Sequence, residues 1–167
     1  MTSVYLGLGS NIEPEHNIEQ GLVKLRQCFQ VQRVSPWYCS KAQGFDGPDF
    51  INLVVEIEYD GELAELAQAI KEIEFEFGRE AQAVKFASRT LDIDILLFGE
   101  AVGELSGIQL PRTDIYQYAY VLKPLLDILP QGKDPKTGRL FAEFLPQVQQ
   151  QWLQPLTLVT GHKLAST

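Results

Sequence analysis

The sequence predicts an α+β fold: a βαββαβ core with an antiparallel sheet, and extra C-terminal helices packed on it. Three observations carry that prediction. Four stretches read as strands, residues 4–9, 31–38, 50–59 and 89–98, and the first and last of them alternate apolar residues with glycine or acid at period two. Two stretches place apolar residues at helical spacing. Ile18, Leu22, Leu25 and Phe29 fall between the first and second strands, and Leu63, Leu66, Ile70, Ile73 and Phe77 between the third and fourth. At 167 residues the chain is long enough for one sizeable core, so residues 1–167 are read as a single domain.

The first strand puts Val4, Leu6 and Leu8 on one face and Tyr5, Gly7 and Gly9 on the other. Glycines on one face let a side chain or ligand approach the backbone. Ser10-Asn11 ends the strand, and the Gly9-Ser10-Asn11 run offers backbone N–H groups to an anion, although no complete phosphate-loop pattern follows. Pro14 suits the first turn of the helix, with His16 solvated. Residues 31–38 form a strand that Pro36 confines to an end or an edge. Residues 39–49 make a loop rich in turn formers, longer than most connections and of the kind that carries function. On the next strand Phe50 and Asn52 share a face with Val54 and Glu56. An amide beside an aromatic suits a planar heterocycle, and equally suits a hydrogen-bonded Asn at a half-buried strand end. Asp60-Gly61 turns the chain into the second helix, which Gly78 closes, and residues 79–88 form a polar link containing Lys85 and Phe86. This order is the split βαβ arrangement of ferredoxin-like folds. After Gly99 come a short strand at 108–110 and a helix over about 118–129 interrupted or restarted at Pro124. A last helix over about 140–153, interrupted near Pro146, precedes a tail from 156 that is β-like at first.

A hydrophobic fraction of 45% with 22% charged residues is that of a globular protein, and no apolar run reaches bilayer-spanning length. No basic and apolar leader pattern opens the sequence, so a cytoplasmic location is expected. The two cysteines, Cys28 and Cys39, have no metal-ligand spacing and are expected as buried thiols. A formal net charge of −8 argues against nucleic acid or an anionic membrane as partner. An anionic small molecule would need a local basic pocket, for which Arg79, Lys85, Arg89 and Arg112 are candidates.

The chemistry concentrates in residues 89–98, Arg-Thr-Leu-Asp-Ile-Asp-Ile-Leu-Leu-Phe. On a strand Asp92 and Asp94 point the same way with Cα atoms roughly 6.5 Å apart, and such carboxylates repel unless a cation sits between them. Leu91, Ile93 and Ile95 face the other way and anchor the strand in a core. Oxygen ligands on a rigid strand suit Mg²⁺, which is usually held by one or two carboxylates together with substrate phosphates. A surface strand showing two solvated acids is the alternative.

Four segments, residues 5–11 (Tyr-Leu-Gly-Leu-Gly-Ser-Asn), 48–52 (Pro-Asp-Phe-Ile-Asn), Gly78-Arg79 and 89–98, together resemble the 6-hydroxymethyl-7,8-dihydropterin pyrophosphokinase family of folate biosynthesis. The resemblance runs from Val4 to about Pro130. It implies transfer of the β,γ-pyrophosphoryl group of ATP to the hydroxymethyl oxygen of the reduced pterin, with ATP as co-substrate and two Mg²⁺ ions on Asp92 and Asp94. By the same resemblance Arg79 and Arg89 join Asp92 and Asp94 as catalytic residues, while Ser40, Gly44, Phe50, Asn52 and Tyr120 bind the pterin. Glu74, Arg89, Ile95 and Arg112 would lie at the nucleotide. Small-molecule substrates are the expected partners, with no nucleic acid or membrane, and the chain is expected as a monomer or weak homodimer. The sequence departs from the family at the nucleotide end: Arg112 follows Pro111 where a histidine is usual, Tyr118 replaces an arginine, Ala81 a basic residue and Phe86 a tryptophan, and Gly107 and Gln109 also differ. A paralogue that binds pterin or nucleotide with weakened catalysis, working as an interaction module, is the alternative reading. A phosphotransferase acting on another hydroxylated heterocycle is a third.

Overall fold

The computed structural model describes residues 1–42, 44, 46–78, 90–159 and 162–165. The core elements follow the expected order: β1 (Thr2–Ser10), α1 (Pro14–Cys28), β2 (Gln30–Val34), β3 (Trp37–Ser40), β4 (Phe50–Tyr59), α2 (Leu63–Glu76) and β5 (Asp92–Phe98). A small hairpin, β6 (Gly103–Leu105) and β7 (Ile108–Leu110), leads to α3 (Asp114–Gln117), α4 (Ala119–Ile128), a 3-10 segment (Phe141–Gln147) and strands β8 (Leu153–Val159) and β9 (His162–Ala165). The main sheet runs β5-β1-β4-β3-β8-β9, with β2 also on β4, and its pairings are antiparallel. The first six elements and β5 thus build the ferredoxin-like core.

Period-two alternation divides the side chains of this sheet between two apolar layers. Val4, Leu6 and Leu8 of β1, Leu53, Val55 and Ile57 of β4 and Ile93 and Ile95 of β5 face α1 and α2, where Ile18, Leu25, Leu66 and Ile73 complete one buried cluster. Tyr5, Val54, Leu96 and Leu97 face the other way, into a second cluster under α4 and the 3-10 segment with Leu122, Leu125, Phe141 and Phe144. A register shift between Tyr5 and Leu6 against β5 lets both Leu96 and Leu97 enter that second cluster. The extra C-terminal helices therefore cover the sheet face that α1 and α2 leave open.

Several expectations are corrected. The strand expected over 31–38 is two strands, because Ser35 leaves the β2 line: its N–H donates to Val54 O (2.9 Å) and its hydroxyl accepts from Val54 N–H (2.9 Å). The helix expected over 140–153 is a 3-10 segment ending at Gln147, after which Leu153 begins a strand paired with β3. Pro146 within that segment cannot donate to a helical ladder, which favours the short, tight form. Pro124 does not interrupt α4, which runs from Ala119 to Ile128. Both cysteines are free thiols, but Cys28 is exposed and Cys39 only half-buried. Cys28 is the last residue of α1. Among the described residues no helix is long and apolar enough to cross a membrane.

Candidate active site

The site lies on the face of the sheet that carries α4, beyond the end of the apolar cluster. Its geometry follows from register. Gly9 of β1 stands opposite both Asn52 of β4 and Asp92 of β5, and Gly7 stands opposite Asp94. Residues opposite one another share a face, so Asp92, Gly9 and Asn52 form one row across three strands. Two interstrand spacings separate its ends, roughly 10 Å. β3 extends the row, since Tyr38 pairs with Asn52 and Ser40 with Phe50.

At one end, Asn52 is buried and its Nδ2 donates to Ser40 Oγ at 2.6 Å. That bond leaves Oδ1 as an acceptor turned toward Gly9, an orientation assigned from the hydrogen bond. A Cβ at position 9 would lie 2.8 Å from Asn52 Oδ1 and 3.8 Å from Phe50 Cδ2, so any side chain there would push the Asn52 amide out of place. Phe50 thus stands beside the amide, as its place on the strand predicts. Asn11, also buried, donates from Nδ2 to Pro48 O at 3.3 Å, and Ser10 Oγ donates to Ile12 O at 3.1 Å. The Gly9-Ser10-Asn11 run therefore braces the loop that delivers Phe50 and Asn52.

At the other end, Asp94 is pushed up to about 8, first by burial and then by Asp92, with Asp114 and Glu74 adding and Arg112 opposing. Arg112 Nη2 lies 3.6 Å from Asp94 Oδ1, and its Nε lies 3.3 Å from Asp114 Oδ2. The Arg112 backbone is fixed by its N–H donating to Leu96 O at 3.0 Å. Tyr120 lies at the acid end of the site: burial raises its phenol, followed by Asp114, Tyr118, Asp94 and Asp92. Its ring stacks on Tyr118 with centroids 4.9 Å apart and planes at 24°.

The sheet face therefore brings together Asp92, Asp94, Ser40, Phe50 and Asn52, with Arg112 and Tyr120 reaching the carboxylates from the chain after β7. Glu74 and Ile95 lie elsewhere. Ile95 is buried in the cluster facing α1 and α2, so that only its backbone borders the site, and Glu74 Oε2 accepts from Ile93 N–H at 2.8 Å. Gly44 is exposed in its loop with φ of 77°. Arg79, Ala81, Lys85, Phe86 and Arg89 lie outside the described residues. Asp114 and the Tyr118–Tyr120 stack were not anticipated. The Arg-x-Asp spacing of Arg112 and Asp114 was the available signal for the first.

Among the described residues no group of three or more His, Cys, Asp or Glu side chains is arranged to hold a metal ion. A carboxylate pair alone still fits a hard divalent cation whose remaining ligands come from a substrate polyphosphate and water. Crowding of Asp94 by a like charge is the condition such a cation relieves.

The ferredoxin-like sheet with this row of acids and amide has the fold of solved HPPK domains. The wild-type HPPK-DHPS of Plasmodium falciparum matches with a TM-score of 0.70 at 12% identity, covering 98% of this chain and 50% of that one. This chain spans half the length of that protein, and the likeness is one of fold. The chain belongs to the 7,8-dihydro-6-hydroxymethylpterin-pyrophosphokinase family, whose model matches residues 5–130. A relative named 2-amino-4-hydroxy-6-hydroxymethyldihydropteridine pyrophosphokinase from Synechocystis is 34% identical over 146 residues, 86% of this chain and 74% of its own length. Relatives of the same name from Pseudomonas aeruginosa and Aquifex aeolicus are 36% and 33% identical, covering 85% and 88% of this chain and 89% and 92% of their own lengths.

Proposed function

We propose that this protein is a Mg²⁺-dependent diphosphokinase that moves the β,γ-pyrophosphoryl group of ATP to the hydroxymethyl oxygen of 6-hydroxymethyl-7,8-dihydropterin, giving AMP and the pterin diphosphate. The observation that supports this reading is the row Asp92–Gly9–Asn52, which sets a carboxylate pair and a buried amide on one face, two interstrand spacings or roughly 10 Å apart. Asn52 Oδ1 accepts from the ring's N–H groups, Ser40 fixes the amide, and Phe50 and Tyr120 offer their faces to the ring. Asp92 and Asp94 would hold the divalent ions against the phosphates, where they neutralise charge on the transferring group. Arg112 supplies a guanidinium for the polyphosphate in place of the family's usual histidine, and Arg79 and Arg89 add to it. The pterin hydroxymethyl oxygen attacks Pβ and releases its proton to solvent, the bond from Pβ to the bridging oxygen breaks, and AMP leaves with that oxygen. Positioning supplies much of such a reaction, up to roughly 7–11 kcal/mol of barrier.

Incubating the folded protein with ATP, Mg²⁺ and the reduced pterin alcohol tests the reading. AMP and pterin diphosphate are expected in equal amounts. ADP in place of AMP, or no AMP from a folded sample, would contradict it, and pterin binding without turnover would point to the weakened paralogue.

A further inference from the structure

Arg112 is placed between two carboxylates and ion-paired to both. Its contacts to Asp94 at 3.6 Å and Asp114 at 3.3 Å are within ion-pair distance, yet its Nε is buried with no hydrogen-bond partner. A guanidinium in a settled ion pair is usually bidentate and aligned. Here each contact is long for such a pair. The three side chains lie at similar depth, 37% exposed for Arg112, 31% for Asp94 and 24% for Asp114. The backbone around them is fixed: Arg112 N–H is bonded to Leu96 O of β5, Leu110 is fully buried, and Asp114 O accepts from Tyr118 N–H at 3.0 Å. The guanidinium can therefore shift between the two acids without moving its own strand connection.

We propose that Arg112 is a built-in counter-ion of the carboxylate pair, displaced from Asp94 when a divalent cation binds, and that Asp114 is the positioning residue that takes up the guanidinium and keeps it at the site. This rests on the reading of Asp92 and Asp94 as the metal ligands. A single positive charge relieves the repulsion between the acids, and a divalent ion relieves it better, so the two cations compete for Asp94. Asp114 sets the terms of that competition by offering the guanidinium a second anionic partner. The affinity of the pair for metal is thus tuned by residues that are not themselves ligands.

Direct titration with Mn²⁺ alone, following free Mn²⁺ by electron paramagnetic resonance, tests the proposal. Arg112→Gln, and Arg112→Met as a second neutral variant that keeps the stem's packing, are expected to bind Mn²⁺ about fivefold to tenfold more tightly than wild type. Asp114→Asn is expected to weaken binding by a similar factor, and to have no effect in the Arg112→Gln background. That loss of effect separates action through Arg112 from the general field of a carboxylate, which would persist in the double variant. Neutral variants that bind no more tightly than wild type, including the case in which neither binds, would overturn it, as would an Asp114→Asn effect that persists without Arg112. If Asp92→Asn with Asp94→Asn leaves Mn²⁺ affinity unchanged, the ligand reading itself fails. Loss of binding there with an unmoved Arg112→Gln would instead sink this inference alone.

Discussion

Asp94 is held at a compromise between burial, which favours its proton, and the cation chemistry that needs it ionised. Because its carboxyl is raised from 3.8 to about 8, the folded protein keeps a proton that the unfolded chain has released. Its contribution to stability is therefore fully present below about pH 4 and lost as pH rises toward 8. With a chelator present, the melting temperature of wild type is expected to fall more steeply across that window than that of Asp94→Asn; parallel slopes would show that the carboxyl is not raised. Gly9 makes a sharper case. A Cβ 2.8 Å from Asn52 Oδ1 forces the amide to turn and breaks its bond to Ser40. Gly9→Ala should weaken pterin binding at least about tenfold, the cost of roughly one charge-free hydrogen bond and its alignment, with the fold retained. Unchanged affinity in a fluorescence titration would remove Asn52 from the site. These residues were legible in the sequence because strand periodicity fixes which side chains share a face. The D-x-D pair and the Gly7/Gly9 face need no tertiary knowledge. What Arg112 does was not legible, since Asp114 and Asp94 approach it only through the path of the chain after the β6–β7 hairpin.

Strand breaks and edge additions decide which of these residues meet. Ser35 bonds both backbone groups of Val54, and this brings the chain from β2 into β3 so that Tyr38 and Ser40 fall beside Asn52 and Phe50. Ser35→Ala leaves the buried Val54 N–H without a partner, which costs about 1–3 kcal/mol. Urea denaturation should register that loss, and a change below about 0.5 kcal/mol would show that Ser35 is replaceable there. Tyr38, buried and raised by burial and by Asp127, donates its hydroxyl to Asp127 and so ties β3 to α4. Glu74, expected near the nucleotide, caps Ile93 N–H and joins α2 to the strand bearing the acids. It acts on the site through the position of β5 and through its charge, which adds to the raising of Asp94. Both helices of the core and its strands β1, β4 and β5 could be read from periodicity, whereas the division of 31–38 into β2 and β3 could not. Of the β8–β9 extension only a β-like start from Leu156 could be read, because Gln154 and Pro155 break the apolar pattern just where Leu153 and Leu156 begin pairing with β3. The 3-10 segment was mistaken for a longer helix for a related reason. Phe141, Phe144 and Val148 are buried at helical spacing, which does not distinguish a tight turn from an α-helix.

The whole molecule joins two functions that composition alone would set apart. A chain of net charge −8 is a poor general host for polyphosphate, so the site must supply its own positive charge. It does so with Arg112 and, on the proposed function, with divalent cations on Asp92 and Asp94, Arg79 and Arg89. The sheet keeps both ends of the site on one rigid face, with apolar layers on either side. The two ends should therefore fail separately when either is removed. Pterin binding and metal-dependent binding of a non-hydrolysable ATP analogue, each titrated calorimetrically in Asp94→Ala and in Asn52→Ala, measure that separation. Asp94→Ala should lose metal-dependent nucleotide binding and retain pterin, and Asn52→Ala should do the reverse, with AMP formation abolished in the first and lowered at least about tenfold in the second. Unchanged nucleotide affinity in Asp94→Ala, or unchanged pterin affinity in Asn52→Ala, would contradict a single site built across Gly9.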